Sequence, residues 1–108
     1  MVYWDTDGTT AGAGGATPAG TWKTSGGANK NWSTSAAGTA TTTVWTNDDI
    51  AVFSAGTDAT GSYTVTVASA PTVDSIVIEE GNLTFNNSSL TLTGTTSSID
   101  VASGLTAT

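Results

Sequence analysis

Cysteine, histidine and arginine are all missing from this sequence, and Lys23 and Lys30 are its only cationic side chains. Without cysteine there are no disulfides, so burial and hydrogen bonding alone must hold any fold. Without histidine or cysteine there is neither a nucleophile–base pair of the usual kind nor an imidazole or thiolate metal site. Two lysines against nine acids leave a net charge of -7. A chain so poor in cations has almost nothing to neutralise phosphates, which excludes nucleic acid as a partner and argues against anionic lipid surfaces. Charged residues are only 10% of the chain, against roughly 25% in ordinary soluble domains. Thr, Ser, Asn and the backbone must therefore keep it in solution. No apolar run approaches the ~18 residues of a membrane-spanning helix, so this segment is not expected to insert in a membrane. Strong helix formers are scarce, and no apolar stripe of period 3.6 lasts three turns.

What is present divides near residue 47. All four tryptophans, Trp4, Trp22, Trp32 and Trp45, lie before it, among Gly, Ala and Thr and almost no larger aliphatic residues. The Val, Ile, Leu and Phe residues follow in short alternating runs. These are "AVF" (51–53), "YTVTV" (63–67), "VDSIVIEE" (73–80), "LTF" (83–85), "LTL" (90–92) and "IDV" (99–101). Alternation of apolar residues with Thr or Asp is the period of a strand with one buried face. Turns rich in Gly, Asn and Ser separate the runs. From Ile76 onward they recur about every seven to nine residues, close spacing for an immunoglobulin-like sandwich and natural for coils that bend at several corners. An offset of about 23 residues aligns Phe53 with Ile76 and Ile76 with Ile99. The expected fold is thus all-β, the capped start of a right-handed β-helix or solenoid, with a β-sandwich or jelly-roll as the alternative. Residues 1–47 would form a Trp-rich N-terminal cap and 48–108 the short-stranded coils.

The order "YWD…GTTAGAGG…GTW…NW…VWTNDDIAVFSAG…YTVTV…VDSIVIEEGNLTF…LTL" resembles the start of passenger regions in large bacterial autotransporter-type proteins with the autotransporter-associated β-strand repeat. The resemblance covers essentially the whole chain. It implies a region that opens a long right-handed β-helix outside the cell, so an extracellular or cell-surface location after removal of a leader not present in this sequence. The chain departs from that family in being short, without the many later repeats or a C-terminal barrel, and it stops at "LTAT" in mid-coil. Its expected partners are its own downstream solenoid repeats or identical subunits.

The open end of a first coil must be closed by something bulky. Trp4, Trp22, Trp32 and Trp45, with Phe53, are the residues expected to close it, and the Gly/Ala/Thr stretch between Trp4 and Trp22 the loop that carries two of them there. Exposed on the surface, Trp4, Trp22 and Trp32 would instead stack on surface glycans as a carbohydrate-binding module. Asp5, Asp7, Asp48 and Asp49 are candidates for a calcium site, although "DTDG" fails the EF-hand pattern, which wants Gly sixth and Glu twelfth. Otherwise these Asp side chains accept hydrogen bonds from backbone N–H groups in tight turns. No cofactor is expected. Asp48/Asp49 and Glu79/Glu80 are sequence neighbours that would point to opposite faces of a strand, unlike a working carboxylate pair, and the chain is not expected to be an enzyme. Its "TVTV" and "TLTGTT" segments have the composition of ice-binding faces. Their threonines do not recur at one place per coil, so no ice activity is expected. The function implied is a non-enzymatic, adhesin-like structural segment, with a self-assembling filament subunit as the alternative.

Overall fold

The computed structural model describes residues 1–25 and 29–108. The described residues contain eleven short strands and no α-helix. They are β1 (Val2–Trp4), β2 (Gly20–Trp22), β3 (Trp32–Ser33), β4 (Ile50–Phe53), β5 (Ser62–Val67), β6 (Thr72–Val73), β7 (Ser75–Ile78), β8 (Asn82–Asn87), β9 (Thr91–Leu92), β10 (Ile99–Val101) and β11 (Thr106–Ala107). Three sheets result, with orders β10-β7-β4-β1-β3, β11-β8-β5-β2 and β6-β9. Every pairing between named strands is parallel except β1 with β3. From β4 onward the chain visits the first, second and third sheets in turn and then repeats the circuit. The result is nearly all-β, one mixed and two parallel sheets, in a compact globule of 34 × 32 × 23 Å.

Alternation explains where the core sits. In β5 the residues Tyr63, Val65 and Val67 are buried while Thr64 and Thr66 face out, half-exposed. Leu83 of β8 and Ile76 and Ile78 of β7 continue the buried set, as Ala51 and Phe53 do in β4. In parallel ladders, register brings like residues together: Ala51 pairs with Ile76 and Ile76 with Ile99, while Tyr63 pairs with Leu83 and Val65 with Phe85.

Two sequence expectations need correction, and three strands carried no signal in the sequence. Phe53 pairs with Ile78 and not with Ile76, because the step from β4 to β7 is 25 residues (51 to 76) and that from β7 to β10 is 23 (76 to 99). A slip of two keeps every side chain on its face, so alternation alone cannot detect it. The run "VDSIVIEE" is two strands in different sheets. Val73, Ile76 and Ile78 are all buried, which a continuous strand cannot achieve because Val73 is out of phase with the other two. The break at Asp74 resets the phase. Finally β1, β2 and β3 in the first 47 residues are full members of the sheets: β1 pairs with β4 and β2 with β5, in parallel. Each offers one inward tryptophan and no alternation, so no strand pattern marked them.

The glycine-rich stretch between β1 and β2 is tightly held. Asp58 accepts hydrogen bonds from the N–H groups of Ala13 (2.8 Å) and Gly15 (2.9 Å), and Gly12 donates to Ala37 O at 2.9 Å. Gly12 has φ +99°, and a Cβ there would lie 2.4 Å from the Asp58 carboxylate; at Gly38 (φ +75°) it would lie 2.1 Å from Gly12 O. Glycine is required at both positions by close approach as well as by conformation.

Candidate functional site

Two ends of the sheets differ in how their edges are finished. At the near end, where β1, β2 and β6 stand, the rings of Trp4, Trp22, Trp32, Trp45 and Phe53 form one aromatic cluster. Trp4 meets Trp32 edge-on at 5.3 Å, Trp22 meets Trp45 at 4.9 Å, and Trp32 lies 4.8 Å from Trp45 and 5.3 Å from Phe53. Phe85 of β8 joins at 5.5 Å from Phe53, a partner the sequence did not single out because it lies four strands later. All four indoles are at most 2% exposed. The exposed glycan platform anticipated for Trp4, Trp22 and Trp32 is therefore not formed; in a region without Leu, Ile or Phe, these rings are what fills the interior.

Energetics favour that arrangement. A buried indole removes roughly 200 Å² from water, about 5 kcal/mol at ~25 cal/mol per Å². The Trp4 Nε1–H donates to Pro18 O (2.7 Å) and the Trp45 Nε1–H to Thr72 O (3.0 Å). The Nε1–H groups of Trp22 and Trp32 are buried without a hydrogen-bond partner among the described residues, at a cost of about 1–3 kcal/mol each. Burial outweighs that cost.

The near-end strand edges are also covered. Antiparallel β3 closes the first sheet, with Tyr3 opposite Ser33 and Trp4 opposite Trp32, and β3 is itself bridged to Thr43. The edge of β2 is met by the Asn31 side chain, donating to Thr21 O at 3.0 Å, and by Trp45 N–H, donating to Lys23 O at 3.3 Å. At β6, Thr72 donates to Asn47 Oδ1 and accepts from Asp48 N–H, both at 3.0 Å.

The far end has no such finish. Strands β9, β10 and β11 each stand last in their sheets. Leu92, Ile99 and Val101 are 41%, 53% and 39% exposed. Yet Ile99 and Val101 occupy the rows of Ile76 and Ile78, and Leu92 the row of Val73, all buried one strand earlier. These are inward positions with nothing over them. Asp100 is the one charge in β10, and its carboxylate accepts from Ser98 Oγ at 3.0 Å.

Of the four acids considered for calcium, Asp5 and Asp49 accept from backbone N–H groups of their own turns and Asp48 from a distant threonine. Asp5 is fully buried; its Oδ1 accepts from Asp7 N–H at 3.0 Å and its Oδ2 has no partner. Burial, reinforced by the neighbouring Asp7, pushes the Asp5 carboxyl up to about 7. Asp48, with φ +67°, accepts from Thr93 Oγ1 at 2.8 Å, which holds its carboxyl below the ordinary range. Asp49 accepts from Ile50 N–H at 2.7 Å and contacts the Met1 ammonium. Among the described residues no three His, Cys, Asp or Glu side chains converge to hold a metal ion, and nothing points to a cofactor. Among them, too, no pocket opens on the surface. Elsewhere, the Tyr63 hydroxyl shares a 2.6 Å hydrogen bond with Ser54 in the interior, and burial pushes it up to about 12. No protein-family model, curated protein or solved structure matches the chain.

Proposed function

We propose that this chain is a non-enzymatic structural element: the closed beginning of a right-handed parallel β-solenoid, exported as an adhesin-like passenger segment, on whose far end further coils stack. The circuit through three sheets and the parallel ladders support a solenoid over a sandwich. The observation that carries the reading is the contrast between ends. Core rows that are sealed by indoles at one end run out, still apolar, at Leu92, Ile99 and Val101. Exposed core rows and unpaired strand edges together form a template for one more layer of the same kind.

The natural occupant is polypeptide of the same rung chemistry, continuing in the same direction. An identical subunit is the second reading, but head-to-tail filaments need two complementary open faces, and the near end has its edges covered by β3, Asn31 and Asn47–Asp49. A copy would have to dock far end to far end, giving a dimer. In this reading the tryptophans are scaffold and take no part in sugar binding.

The test is a fusion that repeats residues 72–108 after Thr108. Ordered stacking of the added coils should raise the melting temperature and protect the new segment from protease. An added segment cleaved as fast as an unfolded peptide, with an unchanged transition, would refute the reading.

A further inference from the structure

Asparagine followed two residues later by serine or threonine occurs four times in the chain, beginning at Asn31, Asn82, Asn86 and Asn87. That spacing is the acceptor pattern for N-linked glycans in exported proteins, and the fold treats the four very differently. Asn31 spends its Nδ2 on Thr21 O at 3.0 Å in the near-end cover, and its Ser33 is fully buried. Asn87 donates its Nδ2 to Val67 O at 3.3 Å. With φ +83° it also turns the chain between Asn86 and Ser88, so no extended backbone sets those two on one face. Asn82 is the exception. It opens β8 with its side chain exposed, and Thr84 follows on the same outward face while Leu83 between them is buried. Among the described residues the Asn82 amide and the Thr84 hydroxyl make no internal hydrogen bond, unlike the amides of Asn31 and Asn87. The ladder neighbours of Asn82, Ser62 and Thr106, are small and exposed. Of the four, Asn82 alone has an acid two residues before it, the half-exposed Glu80 across the turn at Gly81.

We propose that Asn82 is the acceptor of an N-linked glycan, transferred from an oligosaccharide carried on a polyprenyl diphosphate. The Thr84 hydroxyl, which both donates and accepts, is the group by which a transferase recognises the asparagine. The Glu80 carboxylate offers a second handle, matched to an arginine of the enzyme. In the transfer the Asn82 Nδ2 bonds to the anomeric carbon of the sugar. The bond from that carbon to the diphosphate oxygen breaks with its electron pair, polyprenyl diphosphate leaves, and a base of the transferase takes the proton that Nδ2 gives up. The glycan then projects from the outward row of the second sheet and displaces no buried contact, whereas one at Asn31 would break the near-end cover. On a chain with only 10% charged residues, it adds a strongly hydrated group to a sheet face. The proposal rests on the exported reading, because such donors are met on the outer side of a membrane, and is independent of what stacks on the far end.

The test uses the purified full chain, a membrane oligosaccharyltransferase that reads an acid two residues before the asparagine, and a polyprenyl-diphosphate heptasaccharide as donor. Because no export is involved, its failure is distinct from failure of the exported reading. Intact mass should rise by one oligosaccharide, and peptide mapping should place it on Asn82. Asn82→Gln and Thr84→Ala should take up none, Glu80→Gln should lose most of the transfer, and Asn86→Gln should match the native chain. Melting curves confirm that each variant is folded; should Thr84→Ala fail to fold, Asn82→Gln, exposed and outside the core, decides the matter. A native chain that keeps its original mass beside a modified control acceptor would overturn the proposal, as would transfer that persists in Asn82→Gln.

Discussion

The two ends of this molecule solve the same problem in opposite ways. Both end a set of parallel sheets and so have strand edges and apolar rows to cover. At the near end four indoles and Phe53 fill the interior, while β3, Asn31 and the Asn47–Asp49 turn take the backbone groups. At the far end Ile99 and Val101 lie in the same rows as buried residues and face water. The difference teaches that closure is a matter of chain spent: the first 47 residues contribute few strand residues and much cover.

Substitutions at the two ends should therefore have very different costs. The largest effect is expected for Trp22→Ala, which empties the centre of the aromatic cluster. A loss of about 3–5 kcal/mol is typical of such truncations, a large share of the roughly 5–15 kcal/mol that holds a domain together. Denaturant titration should show it directly, and a near-native midpoint would mean the cluster does not close the fold. Next comes Asp58→Ala, which orphans the Ala13 and Gly15 N–H groups and loosens the loop that brings β2 into place. About 1–3 kcal/mol is expected, read from the same titration.

Third is pH. Asp5 has a folded value of about 7 against an ordinary 3.8. The folded state thus holds a proton that the unfolded chain releases. Its stabilisation is complete below about 3.8 and is lost as pH rises through about 7. Glu80, raised by burial and nearby Asp58, adds to that slope; Asp48, lowered, opposes it on the acid side. The melting temperature should fall between weakly acidic and weakly alkaline buffer, and Asp5→Asn should flatten most of the decline. A profile that rises over that window would contradict the burial of Asp5. The smallest effect belongs to the far end: Ile99→Ala should change stability by less than about 0.5 kcal/mol, while Ile76→Ala, one strand earlier in the same row, should cost about 2–5 kcal/mol. Equal costs would mean that Ile99 is covered after all.

Much of the β architecture could be read in advance. Strands β4, β5 and β10 are visible because apolar residues alternate with Thr, Ala or Asp. The β-rich character follows from the same pattern and from the scarcity of helix formers. The register of Ile76 with Ile99 was legible at a step of 23 residues, but that of the other ladders was not, since steps of 25 and 20 residues between paired strands defeat a single repeat length. Beyond Met1, Val2 and Tyr3, tryptophans were the only large apolar side chains before residue 47 apart from Val44, so their burial could be argued from what was absent around them. Phe85 in the same cluster, and Asp58 reaching back 45 residues to Ala13, carry no local signature, because such contacts are set by how the strands come together in space. The acids Asp5 and Asp49 had two readings in sequence, metal ligand or turn acceptor, and only the backbone geometry distinguishes them.

Amide hydrogen exchange resolved by residue tests the central contrast most directly. The account expects the slowest exchange in β4, β5 and β7 together with β1 and β2 behind the indoles, and markedly faster exchange in β9, β10 and β11. Protection of β10 and β11 equal to that of β7, or β1 and β2 exchanging like a loose tail, would contradict it.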